Sequence, residues 1–276
     1  MVKSSNEIEL QKRRLLKFGK FFDHNVILPR FFRYLPFLDF LTRMHLDAVD
    51  RPQLAYGIYA AALQAKGLNL PAVSVIEFGV AGGNGLRAME RHAEALEAEM
   101  GVSIEVYGFD RAEGLAQTND PRDLPFWFPA GEFKVDRDAV QRTLKRAHYI
   151  VGDIADTLPG FLAQKPAPVG FISVDVDYYT SAKDCLALFR TPQPTRLPRV
   201  LCYLDDIFGI SDLTIVSDCL GEIAALNEWN AENPSAPIQK ILGLASKRAF
   251  PRSWNEQFYC LHDLTHPQYN TCLHNL

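Results

Sequence analysis

The stretch Val73-Ser-Val-Ile-Glu-Phe-Gly-Val-Ala-Gly-Gly-Asn-Gly85 decides the fold. Its opening, Val73 to Ile76, is rich in β-branched residues and suits a parallel strand covered on both faces. Glu77 stands at the carboxyl end of that strand, and Gly79, Gly82, Gly83 and Gly85 let the backbone turn sharply and approach a ligand. Leu86, Met89, Ala93 and Leu96 continue at helical spacing, so the turn opens a helix. Strand, glycine loop and helix N-terminus in this order form a nucleotide-cofactor cradle in a doubly wound sheet.

The chemistry of the loop separates two cofactors. A dinucleotide turn reads Gly-x-Gly-x-x-Gly and seats a pyrophosphate on the helix N-terminus. Here the spacing is Gly79-x-x-Gly82-Gly83-x-Gly85, with an acid two residues ahead of the first glycine. A carboxylate there repels a pyrophosphate and attracts a cationic amino-acid group. This favours S-adenosylmethionine over NAD, with a purely structural turn as the alternative. Glu77, Phe78, Gly79, Gly82, Gly83 and Gly85 are the cofactor candidates of the loop. The next strand, Ile104-Glu-Val-Tyr-Gly-Phe-Asp110, ends in an acid where such folds bind ribose hydroxyls. A carboxylate there can accept bonds from both vicinal hydroxyls, or it can cap the following turn. Arg111 and Asp153 are further cofactor candidates, with Asp153 facing the adenine amino group.

From Val73 onward strand and helix alternate, which predicts one mainly parallel sheet. Strands are predicted at 73–78, 104–108, 147–151, 169–176, 199–204, 238–244 and 257–262, the last antiparallel at the sheet edge. The expected architecture is a doubly wound, mainly parallel, seven-stranded Rossmann-like sheet preceded by an N-terminal helical arm. Residues 1–70 form the arm, including a helix over 52–66, and residues 71–276 the main domain. The long segment 120–129, Asp-Pro-Arg-Asp-Leu-Pro-Phe-Trp-Phe-Pro, is either a lid or a packed surface loop.

Acids close three further strands: Asp153 the third, Asp175 and Asp177 the fourth, Asp205 and Asp206 the fifth. Ligands of open α/β sheets bind outside the carboxyl strand ends, so these groups should converge. Packed carboxylates are costly unless a cation or protons neutralise them. Asp175, Asp205 and Asp206 therefore predict a divalent metal with oxygen ligands, best Mg²⁺, against the alternative of separate caps. No His or Cys stands beside them to suggest zinc. A hydroxyl acidified by the metal could lose its proton to Asp175 or Asp177, the catalytic candidates.

The 276 residues are 47% hydrophobic with a net charge of −4, enough for one large core and without a basic excess to favour nucleic acid. Five scattered cysteines without a Cys-x-x-Cys pair fit reduced thiols and a cytoplasmic setting. No leader or membrane span is predicted. Near the N-terminus Lys12, Arg13, Arg14, Lys17 and Lys20 interleave with Leu15, Leu16, Phe18, Phe21 and Phe22. That pattern fits an arm packing on the core or on a second copy in a homodimer; a membrane surface is the other reading. His262 and His266 are either acceptor-pocket bases or structural histidines.

Glu77-Phe-Gly-Val-Ala-Gly-Gly83, Gly108-Phe-Asp-Arg-Ala-Glu-Gly-Leu115, Asp156-Thr-Leu-Pro159, Asp175-Val-Asp-Tyr-Tyr-Thr-Ser181 and Asp205-Asp206 follow one another in order. This series resembles the macrocin-type sugar O-methyltransferases, class I enzymes that use S-adenosylmethionine and Mg²⁺. The resemblance spans about residues 73–208, and its metal site maps onto Asp175, Asp205 and Asp206. Asn84 replaces the serine common after the glycine pair, and Arg111-Ala112 departs from the family's Ser-Phe. The resemblance implies methyl transfer to a hydroxyl of a small polyhydroxylated acceptor. A cofactor-binding regulatory or scaffold protein, a nicotinamide oxidoreductase and a membrane-associated glycolipid enzyme are the rival expectations.

Overall fold

The computed structural model describes residues 24–191, 195–209, 214 and 216–273. The basic and aromatic residues between Lys12 and Phe22 lie outside the described residues. Seven strands form one sheet: β1 (Ala72–Phe78), β2 (Ser103–Asp110), β3 (His148–Val151), β4 (Val169–Val174), β5 (Arg196–Leu204), β6 (Ile238–Lys240) and β7 (Phe258–His262). Their spatial order is β3-β2-β1-β4-β5-β7-β6. The five strands from β3 to β5 are parallel, and β7 runs antiparallel between β5 and β6. This is the doubly wound, mainly parallel sheet that the alternating pattern predicts, with the order reversing between β1 and β4.

Two cores flank the sheet. On one face lie α3 (Pro52–Gly67), α4 (Asn84–Met100) and α5 (Arg137–Thr143), after the short α1 (His24–Phe32) and α2 (Phe40–His45). On the other lie α6 (Ile154–Ala163), α7 (Tyr179–Leu186) and α8 (Gly221–Glu232). Strand parity sorts the side chains: Val73 and Val75 pack with Leu54, Ile58, Leu86 and Met89, whereas Ile76 and Phe78 pack with Phe161, Tyr179 and Leu186. Helix α3 is part of this core. It presses on β4 so closely that a Cβ on Gly57 would lie 2.3 Å from the Phe171 ring, and a Cβ on Gly170 would meet that of Ala61 at 2.7 Å.

Two elements are shorter than their apolar runs suggest. Strand β4 stops at Val174 because Asp177 takes a φ of 58° and the Tyr178 N–H turns back to the Val176 carbonyl. Strand β6 ends at Lys240, ahead of Gly243 at φ 71°. Among the described residues no helix is long and apolar enough to cross a membrane.

Candidate active site

The carboxyl ends of β1, β2, β3, β4 and β5 border a cleft of about 450 Å³. Gly79, Asp110, Arg111, Asp153, Asp175, Asp177 and Asp206 line it. Glu77, Phe78, Gly82, Gly83 and Gly85 do not. Phe78 packs into the core on the α6–α8 face, with its ring 5.1 Å from that of Phe109. Glu77 shares the parity of Val73 and Val75 and turns under the loop toward α4. It is 3% exposed, and a Cβ on Gly85 would sit 1.7 Å from its Oε1. Gly85 is therefore the space that admits this carboxylate. The Glu77 Oε2 is buried without a hydrogen bond, and burial followed by the charge of Asp175 pushes the carboxyl well above its ordinary range.

Gly79 has a structural task as well. At φ 85° it brings the end of β1 so near β4 that a Cβ would lie 1.7 Å from the Asp175 carbonyl. Asp110 organises the rest of the loop: its Oδ2 accepts from Val80 N at 2.8 Å and Ala81 N at 2.7 Å, and its Oδ1 from Ala112 N at 2.5 Å. Of roughly four lone-pair positions on a carboxylate, one on Oδ1 is left for a ligand. Asp110 is thus both a loop brace and a cleft residue, with room for a single hydroxyl where the sequence reading expects two. Beside it the Arg111 Nε donates to the Asp153 carboxylate at 2.8 Å, joining the ends of β2 and β3.

Acids collect at the other end of the cleft, where Asp175 and Asp206 line it and Asp205, outside its lining, stands beside them. Asp175, Asp205 and Asp206 each place a carboxylate oxygen within 4.8 Å of the others'. Adjacent strands cause this: β4 pairs with β5, and Asp205 N donates to the Val174 carbonyl at 2.9 Å. Asp206 accepts from Asp177 N at 2.9 Å, and Asp205 from the Tyr203 hydroxyl at 2.7 Å. Burial and then mutual repulsion push the Asp175 and Asp206 carboxyls well above their usual range. Burial, and then the charge of Asp175, holds Asp177 at about 7. A cluster of partly buried carboxylate oxygens without a hydrogen-bonded base among the described residues has the donor chemistry of a hard divalent ion. The residues fit Mg²⁺ on that ground. The glycine cradle, with the buried and unbonded Glu77 oxygen beside it, fits a ligand that carries an ammonium group.

Several site residues escape the sequence reading. Glu222 is 1% exposed and accepts from Val176 N at 3.4 Å and Asp206 N at 3.2 Å, tying together the two loops that carry the acids. It comes from α8, far along the chain, and no local pattern marks it. Ser181 and Asp184 also line the cleft. Their spacing from Asp177, four and seven residues on a helix that opens after it, is a readable signal. The 111–136 segment lines the cleft through Gly114, Leu115, Ala116 and Phe133. It is moored by the fully buried Asp123, which accepts from the Thr180 N–H and hydroxyl, both at 2.9 Å, and by the Tyr178 hydroxyl, which donates to the Phe128 carbonyl. His262 and His266 are remote from the cleft. His262 pairs with Arg199 at the start of β5, the opposite edge of the sheet, and bonds the Tyr269 hydroxyl at 2.8 Å. His266 accepts from Gln268 N at 3.1 Å.

No protein-family model matches the chain, and no curated protein matches it. Among solved structures it is similar to CalS11, a calicheamicin methyltransferase (18% identity over 95% of this chain and 94% of that one, TM-score 0.49). It is also similar to the O-methyltransferase TomG of Streptomyces achromogenes (14%, 77% and 79%, TM-score 0.42). A third is MycE from the mycinamycin pathway, solved with Mg and SAH (14%, 87% and 53%, TM-score 0.40). Likeness at this level leaves the chemistry to be argued from the site.

Proposed function

We propose that this chain is a Mg²⁺-assisted, S-adenosylmethionine-dependent O-methyltransferase acting on a small polyhydroxylated, sugar-like acceptor. The observation that carries the reading is that the start of the glycine loop at Gly79 and the acid cluster, through Asp175 and Asp206, line one cleft. Either feature alone has a structural explanation. Together they give a cofactor seat and a charged seat for a hydroxyl side by side.

Bound S-adenosylmethionine supplies the methyl group, and bound Mg²⁺ supplies positive charge that acidifies a nearby hydroxyl. The Gly79–Gly85 loop would hold the methionine part from its cleft-lining start at Gly79, with Glu77 buried beneath the loop. Asp110 and Arg111 hold the ribose through one hydroxyl, and Asp153 holds the adenine amino group. Asp175, Asp205 and Asp206 offer one oxygen each to the ion. Asp177 takes the acceptor's proton on a carboxylate oxygen, or Asp175 beside it does. Phe109, Leu115, Phe133 and Val176 give the cleft its apolar lining. The acceptor class rests on the family resemblance of the motifs, and the rest of the protein's contribution is positioning.

Isothermal titration calorimetry tests the reading. S-adenosylhomocysteine is expected to bind tightly, and Mg²⁺ to give a separate heat that Asp205→Ala abolishes. Binding of NAD in place of the homocysteine nucleoside would overturn it in favour of an oxidoreductase, and binding of neither would remove the cofactor assignment.

A further inference from the structure

Charge is divided unevenly along the chain. The first 37 residues hold eight bases and three acids, Glu7, Glu9 and Asp23, a net of +5. The whole chain is at −4, so the other 239 residues carry −9. Six of the bases, Lys3, Lys12, Arg13, Arg14, Lys17 and Lys20, precede the described residues, and Arg30 and Arg33 lie in and just after α1. A short basic block on an otherwise acidic protein is the pattern of a segment that meets an anionic partner.

The same block leaves its large apolar side chains in solvent. Phe31, Tyr34 and Phe37 are 60%, 81% and 77% exposed, and Ile27 and Leu28 are exposed beside them. Half of the exposed large hydrophobic side chains among the described residues thus fall between positions 27 and 37. Ile27, Leu28 and Phe31 share one face of α1 by their spacing. Beyond the helix a tight turn carries the chain on, with the Tyr34 N–H donating to the Phe31 carbonyl at 3.1 Å. Arg30 is exposed within the same stretch.

The opposite face is already taken. Pro29 is buried, and the Phe32 ring lies 6.0 Å from that of Phe250. Arg252 donates to the Asn25 carbonyl at 2.8 Å, and Arg33 to the Val49 carbonyl at 2.6 Å. Rolling α1 over to bury Phe31 would break these ties. They also locate the patch. Helix α3 runs antiparallel to β4, since Gly57 abuts Phe171 and Ala61 abuts Gly170. Its first residue, Pro52, therefore stands toward the carboxyl edge of the sheet, which the cleft borders. Val49 is three residues ahead of it, so Arg33 and the aromatics beside it lie at the end of the molecule that carries the cleft.

We propose that this patch docks on an anionic lipid surface. Phe31, Tyr34 and Phe37 enter the boundary between headgroups and acyl chains, while Arg30 and the bases ahead of α1 meet the headgroup phosphates. A second copy of the chain fits less well, because two like patches would bring +5 against +5. The protein lies on such a surface rather than across it, since no described helix is long and apolar enough to span a membrane. Docking of this kind does not depend on what the cleft catalyses.

Flotation of the full chain with lipid vesicles tests the proposal. Vesicles of phosphatidylglycerol and phosphatidylcholine in equal parts should carry the protein upward, and vesicles of phosphatidylcholine alone should carry much less. Raising NaCl from about 0.1 M to about 0.5 M should weaken binding about 10-fold. The triple variant Phe31→Ser, Tyr34→Ser, Phe37→Ser should also bind about 10-fold more weakly. Its thermal melt should match wild type, because all three side chains are exposed. Leu242→Ser removes another exposed apolar side chain, just past β6 at the edge of the sheet, and should float as wild type does. Failure of wild type to float, equal binding to both vesicles, full binding by the triple variant or equal loss in Leu242→Ser would each overturn the proposal. A dimer in light scattering that the triple variant dissolves, without lipid binding, would overturn it in favour of a second copy as the partner.

Discussion

The two edges of the sheet treat buried charge in opposite ways. At the amino end of β5, Arg196 and Asp263 are 8% and 1% exposed and joined twice, from Nε at 3.0 Å and from a terminal nitrogen at 2.7 Å. The remaining guanidinium nitrogen donates to the Phe189 and Thr191 carbonyls, and the second Asp263 oxygen accepts from the Thr265 N–H and hydroxyl. Sign is matched to sign, and the polar atoms are satisfied. At the carboxyl edge, Asp175, Asp177, Asp205, Asp206 and Glu222 crowd together, and burial plus repulsion raises the carboxyls of Asp175, Asp177, Asp206 and Glu222. The first edge is built to hold the fold; the second is left unbalanced, which is the condition for binding something positive.

The contrast breaks most clearly at Asp263. Asp263→Asn leaves the Arg196 charge buried without its counter-ion, and should cost about 3–5 kcal/mol in denaturant unfolding. A cost near zero would mean the amino edge is not the tightly matched pair its geometry indicates.

His92 tests buried charge at a site apart from both groups. It is 4% exposed on α4, and its Nε2–H donates to the Asp50 carbonyl at 2.7 Å. Burial is the main cause that lowers its pKa from 6.5 to about 4. Between those values the unfolded chain binds the extra proton, so this contribution is complete above pH 6.5 and is lost as pH falls to about 4. The loss is roughly 3 kcal/mol. His92→Gln should flatten that part of the stability–pH curve, and an unchanged slope would reassign the effect.

The smallest effect should have the opposite sign. Asp175→Asn removes one of the repelling carboxylates, so the metal-free protein should gain about 1 kcal/mol while its Mg²⁺ heat disappears. Destabilisation by the same substitution would show that the carboxyl edge is balanced after all.

Much of this was legible in the chain. The β-branched run to Ile76 and the glycine spacing beyond it locate β1, its turn and α4, because period and backbone freedom are local properties. The helix over 52–66 is equally readable from its apolar positions. Its place against β4 is not, and so the whole of 1–70 reads as an arm while this helix packs on the sheet through Gly57 and Ala61. Glu77 shows a middle case. Its acid is conspicuous in the sequence, and counting from Val73 by twos assigns it to the face of α3 and α4, away from the cleft wall.

What the sequence determined by itself is the order of elements and the placing of acids at strand ends, since both follow from short-range pattern and from the rule that ligands meet sheets at their carboxyl edge. Tertiary structure decided which of those acids share space. Asp175 and Asp206 are neighbours because β4 pairs with β5, and Glu222 joins them from α8 only because that helix packs beside α7. Charge interactions act through space rather than along the chain, so their balance at one edge and imbalance at the other emerges only once the sheet has brought distant residues within a few ångströms.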